Sequence, residues 1–375
     1  IRAFDNSKKE RDKFNDVAQE YTDNYIIINK KFALLSPMAF ALMSVVITLI
    51  IFFGAMKVLN NTLEIGSITA IVEYSLTTIA ALIMSSMVLV QMPKAVVSIE
   101  RIEEVLNVTS EIKDKEELKD NSYYEDILKQ NPISLTFDNV CFRYKGAEKQ
   151  ILKNISFSVK AGERFAIVGA TGSGKSTIAK VLLRLNDIES GRILINGVNT
   201  LDLPLNCLRN QISYTPQKAY IFSGKIKDNF RFTNKDMTDE EMIKIAKIAQ
   251  SYDFIDSLPD KFDSFVAQGG INFSGGQKQR LSIARALSKD ANIYLFDDSF
   301  SALDYATDAK LRKELKTFLK DKITIIIAQR LNTIADADKI IVLKDSEITG
   351  MGTHQELLES NQEYIELAKS QGILE

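Results

Sequence analysis

The chain has 375 residues, enough for two or three domains at about 150 residues each. Its 47 basic and 49 acidic residues nearly cancel, so no broad basic field advertises a nucleic-acid partner. Two cysteines, Cys141 and Cys207, are too few for a disulfide scaffold and lack metal-like spacing, so they read as reduced, packed thiols of a cytosolic domain. The sequence opens on Ile1 rather than Met and carries no recognisable signal peptide, so it reads as part of a longer chain.

Residues 1–31 are charged and helix-compatible. Phe32 to Met56 then runs 25 residues without a charge, and Tyr74 to Pro93 a further 20. Apolar runs of about 20 residues match a bilayer core as helices, and two of them across a short loop argue against a buried helix of a soluble protein. The predicted spans cover about 32–58 and 67–93. Lys30 and Lys31 precede the first, and Lys94 and Arg101 follow the second. The positive-inside rule places both of these ends in the cytoplasm and "NNTLEIGS", Asn60 to Ser67, on the far side. Glu73, at the outer start of the second span, reads equally as the lining of a polar cavity or as an interfacial charge. "KAVVSIERIEEVLN" continues the second helix inward, so residues 1–107 form one membrane-associated region. Residues 108–132 are rich in mixed charge and read as a solvated linker.

A soluble domain is expected over 133–375. It opens with the strand-like alternation of "ISLTFDNVCFRY" and "ILKNISFSVKAGE". "RFAIVGATGSGKST" follows: a strand to Val168, the pattern G-x-x-x-x-G-K-S from Gly169 to Ser176, then the helix-forming "TIAKVLLRL". This is the strand–loop–helix setting of a phosphate loop, in which glycines let backbone amides close around phosphates. Gly169, Thr171, Gly172, Ser173, Gly174 and Thr177 are candidate nucleotide contacts. Lys175 is placed to reach the β- and γ-phosphates, and the Ser176 hydroxyl to ligate Mg²⁺. Further on, "NFSGGQKQRLSIARAL" puts an N-capping Ser274 before Gly275, Gly276 and Gln277 at a helix start, a second anion-binding signal. "IYLFDD" then supplies a buried strand ending in Asp297, a candidate Mg²⁺ holder through water, and Asp298.

Together these motifs resemble the ATP-binding cassette (ABC) family, and the match covers nearly the whole chain. "GATGSGKST" resembles the Walker A motif. "FSGGQ" resembles the signature, with Phe273 where leucine is usual. "YTPQ", Tyr214 to Gln217, resembles the Q-loop, which implies that Gln217 touches Mg²⁺ or water and relays to the membrane helices. "SALD", Ser301 to Asp304, resembles the D-loop, and Tyr144 stands where the family stacks an aromatic on adenine. "IRAF", Ile1 to Phe4, resembles the base of the family's fifth membrane helix. The implied fold is therefore two transmembrane helices of an exporter-type domain followed by an α/β P-loop ABC nucleotide-binding domain, with a helical subdomain at about 218–290. The implied cofactors are ATP and Mg²⁺. The implied location is the cell membrane, multi-pass, with the helices in the lipid bilayer and the nucleotide-binding domain cytoplasmic.

Three departures from the family pattern matter. The residue after the Walker B aspartate is usually a glutamate that polarises the attacking water, and here it is Asp298. Losing a methylene withdraws the carboxylate by about 1.5 Å, and a general base must lie within hydrogen-bond reach of its proton. Gln329 stands where a histidine usually contacts the γ-phosphate; the chain's only histidine, His354, sits at a predicted helix start and reads as structural. Gln268 replaces the usual glutamate in a segment that touches the opposite subunit's membrane loops. Because family cassettes pair head to tail, the resemblance implies a half-transporter with an impaired site of its own (Asp298, Gln329) and a signature that completes the site of a different partner chain. A homodimeric exporter with slow hydrolysis and an ATP-gated channel or regulator are the alternatives. A soluble cassette ATPase of nucleic-acid metabolism is opposed by the two membrane runs. The transported substrate is not legible.

Overall fold

The computed structural model describes residues 5–115, 121–128 and 133–374. Two compact units divide at Thr109 and Ser110. The "IRAF" segment lies outside the described residues.

The first unit is a pair of long helices, α1 (Ser7–Leu59) and α2 (Ile65–Leu106). At 1.5 Å per residue, α2 is about 63 Å long, twice a bilayer's hydrocarbon thickness. Each helix therefore carries its apolar run and extends well past it into charged sequence, as the flanking residues predict. Within the apolar runs Ser44, Thr48, Ser75, Thr77 and Thr78 donate their hydroxyls to the carbonyl four residues back. Such back-bonding satisfies a hydroxyl where no water is at hand. Large apolar side chains such as Leu49, Phe52, Leu82 and Val88 are exposed on this unit, as a lipid-facing or helix-facing surface requires. Gly54 lets the two helices close: a Cβ there would stand 2.9 Å from Ile68 Cδ1.

The second unit is a layered α/β domain. Its main sheet has six strands in the spatial order Glu347–Gly352, Lys339–Lys344, Arg164–Gly169, Ile323–Ile327, Ile293–Asp297 and Ile212–Thr215. All neighbours are parallel except the first pair. The three central strands are buried along their whole length, as strands covered on both faces must be. Alternate residues of Arg164–Gly169 feed two cores. Ala166 and Val168 join helix residues such as Phe230, Met242 and Tyr364. Phe165 and Ile167 join Phe137, Phe157 and Ile178. The second core lies under an antiparallel sheet in the order Leu152–Lys160, Ser134–Phe142, Ser190–Ile195, Val198–Asn199. Phe157 stacks on Phe137 at 4.5 Å and on Phe165 at 4.7 Å between ring centroids. Helices Ile226–Arg231, Asp239–Ile248, Tyr252–Asp256 and Gly275–Leu287 cluster in the sequence range where a helical subdomain is expected.

The reading of 108–132 as a solvated linker needs correction where the structure describes it. Residues 121–128 form a helix, α3 (Asn121–Leu128), whose Tyr124 and Leu128 are buried in the second core. Burying a leucine side chain is worth about 1.5–3 kcal/mol, so this stretch is part of the fold. Residues 111–115 are strapped down as well. Glu111 pairs with Lys145, the Lys113 carbonyl accepts from Arg184, Asp114 accepts from the Leu205 amide, and Lys115 pairs with Asp202. High charge density concealed the few apolar anchors.

Candidate nucleotide site

Parallel strands deliver their carboxyl ends to one edge of a sheet, where ligands of open α/β folds bind. Gly169, Asp297, Thr215 and Ile327 all lie at that edge, set by registers that pair Ile327 with both Asp297 and Ile167, and Thr215 with Phe296. The cleft there is lined by Thr171, Gly172, Gly174, Lys175, Ser176, Thr177, Gln217, Asp297, Asp298 and Gln329, with Ile151 and Ile327.

The loop Gly169–Gly174 folds as it does because glycine supplies conformations that other residues avoid. Gly174 has φ 102° and a Cβ on it would stand 2.6 Å from the Ile151 carbonyl. Helix Lys175–Leu182 starts directly after it. The Lys175 ammonium is buried and donates to the carbonyls of Gly169 and Ala170 at 2.7 and 2.8 Å. Burial pushes its pKa down, with Asp298 and Asp297 acting against the shift. Neutral carbonyls thus hold a desolvated cation inside the loop, which suits a phosphate. Ser173 points the same way: its hydroxyl is buried with no hydrogen-bond partner, and such an orphan calls for a ligand.

Ser176 Oγ donates to Asp297 Oδ1 at 2.9 Å, and the Tyr214 hydroxyl donates to Asp297 Oδ2 at 3.2 Å. Burial raises the Asp297 carboxyl above the ordinary range, and also raises the Tyr214 phenol. A buried carboxylate beside a serine hydroxyl is a hard oxygen set, and a divalent cation offsets the cost of its charge. The residues present therefore fit Mg²⁺, with Ser176 and Asp297 as holders and Gln217 at the same cleft.

Asp298 has φ 46° at the strand's end. Its amide donates to the Ile327 carbonyl at 2.8 Å and its carbonyl accepts from Ser301 Oγ at 2.9 Å. Backbone fixed on both sides leaves side-chain length to set its reach. Its carboxylate is met by Gln217 Nε2 at 3.1 Å. Gln329 lines the cleft from the end of the adjacent strand. Tyr144 lies just past strand Ser134–Phe142, half-buried, with its hydroxyl 3.3 Å from both Thr177 Oγ1 and Lys180 Nζ. Its ring is thus tied to the helix that follows the phosphate loop, and packs edge-on to Phe142.

The structure does not bring every predicted residue to this cleft. Ser274, Gly275, Gly276 and Gln277 are absent from its lining and form the start of helix Gly275–Leu287. Ser274 and Gln277 make a reciprocal capping box, Ser274 Oγ accepting from the Gln277 amide and Gln277 Oε1 from the Ser274 amide. Gly275 faces open space. Phe273 fills the leucine position as a buried core residue against Phe254. His354 starts helix His354–Ser360 with Nδ1 2.7 Å from the Tyr364 hydroxyl, away from the cleft. Sequence reasoning missed Tyr214 as an Asp297 partner. The signal was available only as its place one residue before the end of a strand that neighbours the Walker B strand.

Comparison with known proteins bears on this arrangement directly. The family model described as ABC transporter matches residues 152–301, and the model described as ABC transporter transmembrane region matches 1–82, so the two span more than half of the chain. The chain belongs to the ABC transporter family. An uncharacterized ABC transporter ATP-binding protein of Mycobacterium tuberculosis is 35% identical over 376 residues, covering 100% of this chain and 63% of that protein. The mitochondrial iron-sulfur clusters transporter ATM1 of Saccharomyces cerevisiae is 36% identical over 361 residues, 96% of this chain and 51% of that protein. A solved bacterial Atm1-family ABC exporter with ATP bound superposes with TM-score 0.84 at 31% identity, covering 99% of this chain and 64% of that one. The chain thus spans less than two thirds of the length of these relatives. As an ABC transporter it is a membrane protein with its nucleotide-binding domain on the cytoplasmic side, and that domain is an ATPase module that uses ATP with Mg²⁺.

Proposed function

We propose that this ABC transporter chain is one half of an ATP-driven exporter, in which its own Walker side binds ATP but hydrolyses it slowly and its signature helix completes the hydrolytic site of a different partner chain. The carrying observation is the Asp298–Gln329 pair at the cleft. The position of the usual glutamate holds a carboxylate one methylene shorter, on a backbone fixed by Ile327 and Ser301. The position of the usual histidine holds Gln329, which hydrogen-bonds but carries no charge. Misplacing a reacting group by about 1 Å can cost on the order of 100-fold in rate. The groups for binding are retained: Lys175, the buried Ser173 hydroxyl, and Ser176 beside Asp297.

When bound, Mg²⁺ would neutralise phosphate charge. Ser176, Asp297 and Gln217 would hold it, and Tyr144 would stack on the base. Ser274 and Gly275 receive the partner's terminal phosphate across the interface. Closure of the paired cassettes passes through Gln217 to the membrane helices, and hydrolysis on the partner's side releases the closed state. The relatives' cargoes differ: one is named an iron-sulfur clusters transporter, and a relative in Haemophilus influenzae, 42% identical over 263 residues, an ATP-dependent lipid A-core flippase. Shared cassettes therefore do not choose a cargo. A pair of identical chains with two slow sites is the second reading, favoured by the Asp298 carboxylate lining the cleft.

Isolation of the full-length protein from its native membrane decides between them. Mass spectrometry of the purified assembly is expected to show a second, different half-transporter in equal amount, with glutamate and histidine at the two positions. An assembly containing this chain alone would remove the heterodimer reading.

A further inference from the structure

Gln329 is held by a residue far along the chain. Gln371 Nε2 donates to the Gln329 carbonyl at 2.8 Å, and Gln371 Oε1 accepts from the Leu331 amide at 2.8 Å. One side-chain amide thus closes a two-point clamp across Arg330, on the backbone that presents residue 329 to the cleft. The clamp has a rigid base. Gln371 follows helix Gln362–Ser370, and its own amide donates to the carbonyls of Leu367 and Ala368. The Ile373 amide returns to the Ala368 carbonyl at 2.9 Å, with Gly372 at φ 67°, which locks the helix end. Ala368 and Tyr364 are fully buried, and Asn361 caps the helix while holding the Thr349 carbonyl. On the other side Leu331 is fully buried in the same core.

We propose that Gln371 is a positioning residue for the nucleotide site: it fixes the backbone at Gln329 so that this side chain meets the terminal phosphate of ATP. The inference rests on the reading of residue 329 as the residue facing that phosphate. An amide is the required chemistry, because the clamp needs one donor and one acceptor on the same group. Alanine removes both. Glutamate keeps the acceptor for Leu331 but sets a carboxylate against the Gln329 carbonyl, until protonation turns one oxygen into a donor. The Gln329 carbonyl disfavours the charged form and the Leu331 amide favours it, and only protonation gives glutamate back the donor.

The test uses the full-length transporter in membranes and azido-ATP with Mg²⁺ as probe, reading how long label stays chaseable on this chain before photo-crosslinking. Hydrogen exchange of the nucleotide-free protein supplies a second readout. Gln371→Ala is expected to speed exchange at the Leu331 amide and to shorten ATP retention about fivefold, the worth of one neutral hydrogen bond. Gln371→Glu is expected to shorten retention at about pH 8 and to recover toward the parent as the pH falls to about 5, with no such recovery in Gln371→Ala. The control Gln329→Ala separates the two levels of the argument. Parent-like retention in both Gln371 variants, with Gln329→Ala shortening it, would overturn the clamp alone. Parent-like retention in Gln329→Ala would overturn the role of residue 329, and the clamp's purpose with it.

Discussion

Replacing Gly275 by aspartate in this chain is expected to lower ATP turnover of the assembled transporter by about 100-fold or more, the scale of losing a positioned charge-stabilising donor. On the proposed assembly, the amides at the start of helix Gly275–Leu287 receive the partner's terminal phosphate, and a carboxylate there occupies its place with like charge. The substitution is otherwise benign. Gly275 is in helical conformation, and a Cβ there meets nothing within 4 Å. An acidic residue in a first helical turn favours the helix by about 0.3–1 kcal/mol. The variant should therefore fold and insert normally, and this chain's own Walker side should still crosslink azido-ATP. Steady-state turnover and crosslinking measured on the same preparation check both halves. Parent-like turnover would mean that this signature serves no hydrolytic site.

Lys175→Ala should weaken ATP binding at this chain's site by about 10- to 100-fold, because hydrogen bonds to charged groups are worth about 1.5–3 kcal/mol. The fold is not what fails. Burial already pushes the lysine pKa down, so in the nucleotide-free protein the ammonium is a cost that bound phosphate offsets. Its two partners are backbone carbonyls of its own loop. Equilibrium titration with azido-ATP, alongside thermal melting without nucleotide, separates the effects: binding drops and the melting temperature holds. Transport by the pair should slow without stopping, since the partner's site keeps its own lysine. Equal crosslinking of variant and parent would remove the phosphate-loop assignment.

The parts of this site legible in the sequence are those that local chain chemistry determines. Gly169 to Ser176 encodes its loop in consecutive residues, because only glycine fits at Gly174 and the helix must start at Lys175. Ser274 and Gln277 announce a capped helix in the same way. Contacts that depend on strand order were hidden. Tyr214 reaches Asp297 only because strand Ile212–Thr215 lies beside strand Ile293–Asp297. Gln371 reaches the backbone at 329 and 331 through tertiary packing of the last helix. The helix Asn121–Leu128 was concealed for a different reason: its two buried side chains are outnumbered by charged neighbours, so composition pointed to solvent while packing pointed inward.

The central claim is the asymmetry between this chain's own Walker side and its signature, and the turnover of the assembled, reconstituted transporter carrying Asp298→Asn tests it most directly. The substitution keeps the shape of the side chain and its place 3.1 Å from Gln217, and removes the charge a general base needs. Steady-state ATP hydrolysis is expected to remain at most of the parent rate, whereas neutralising the partner's glutamate removes nearly all of it. Loss of turnover in Asp298→Asn alone would show this aspartate to be a working base, and would contradict the account.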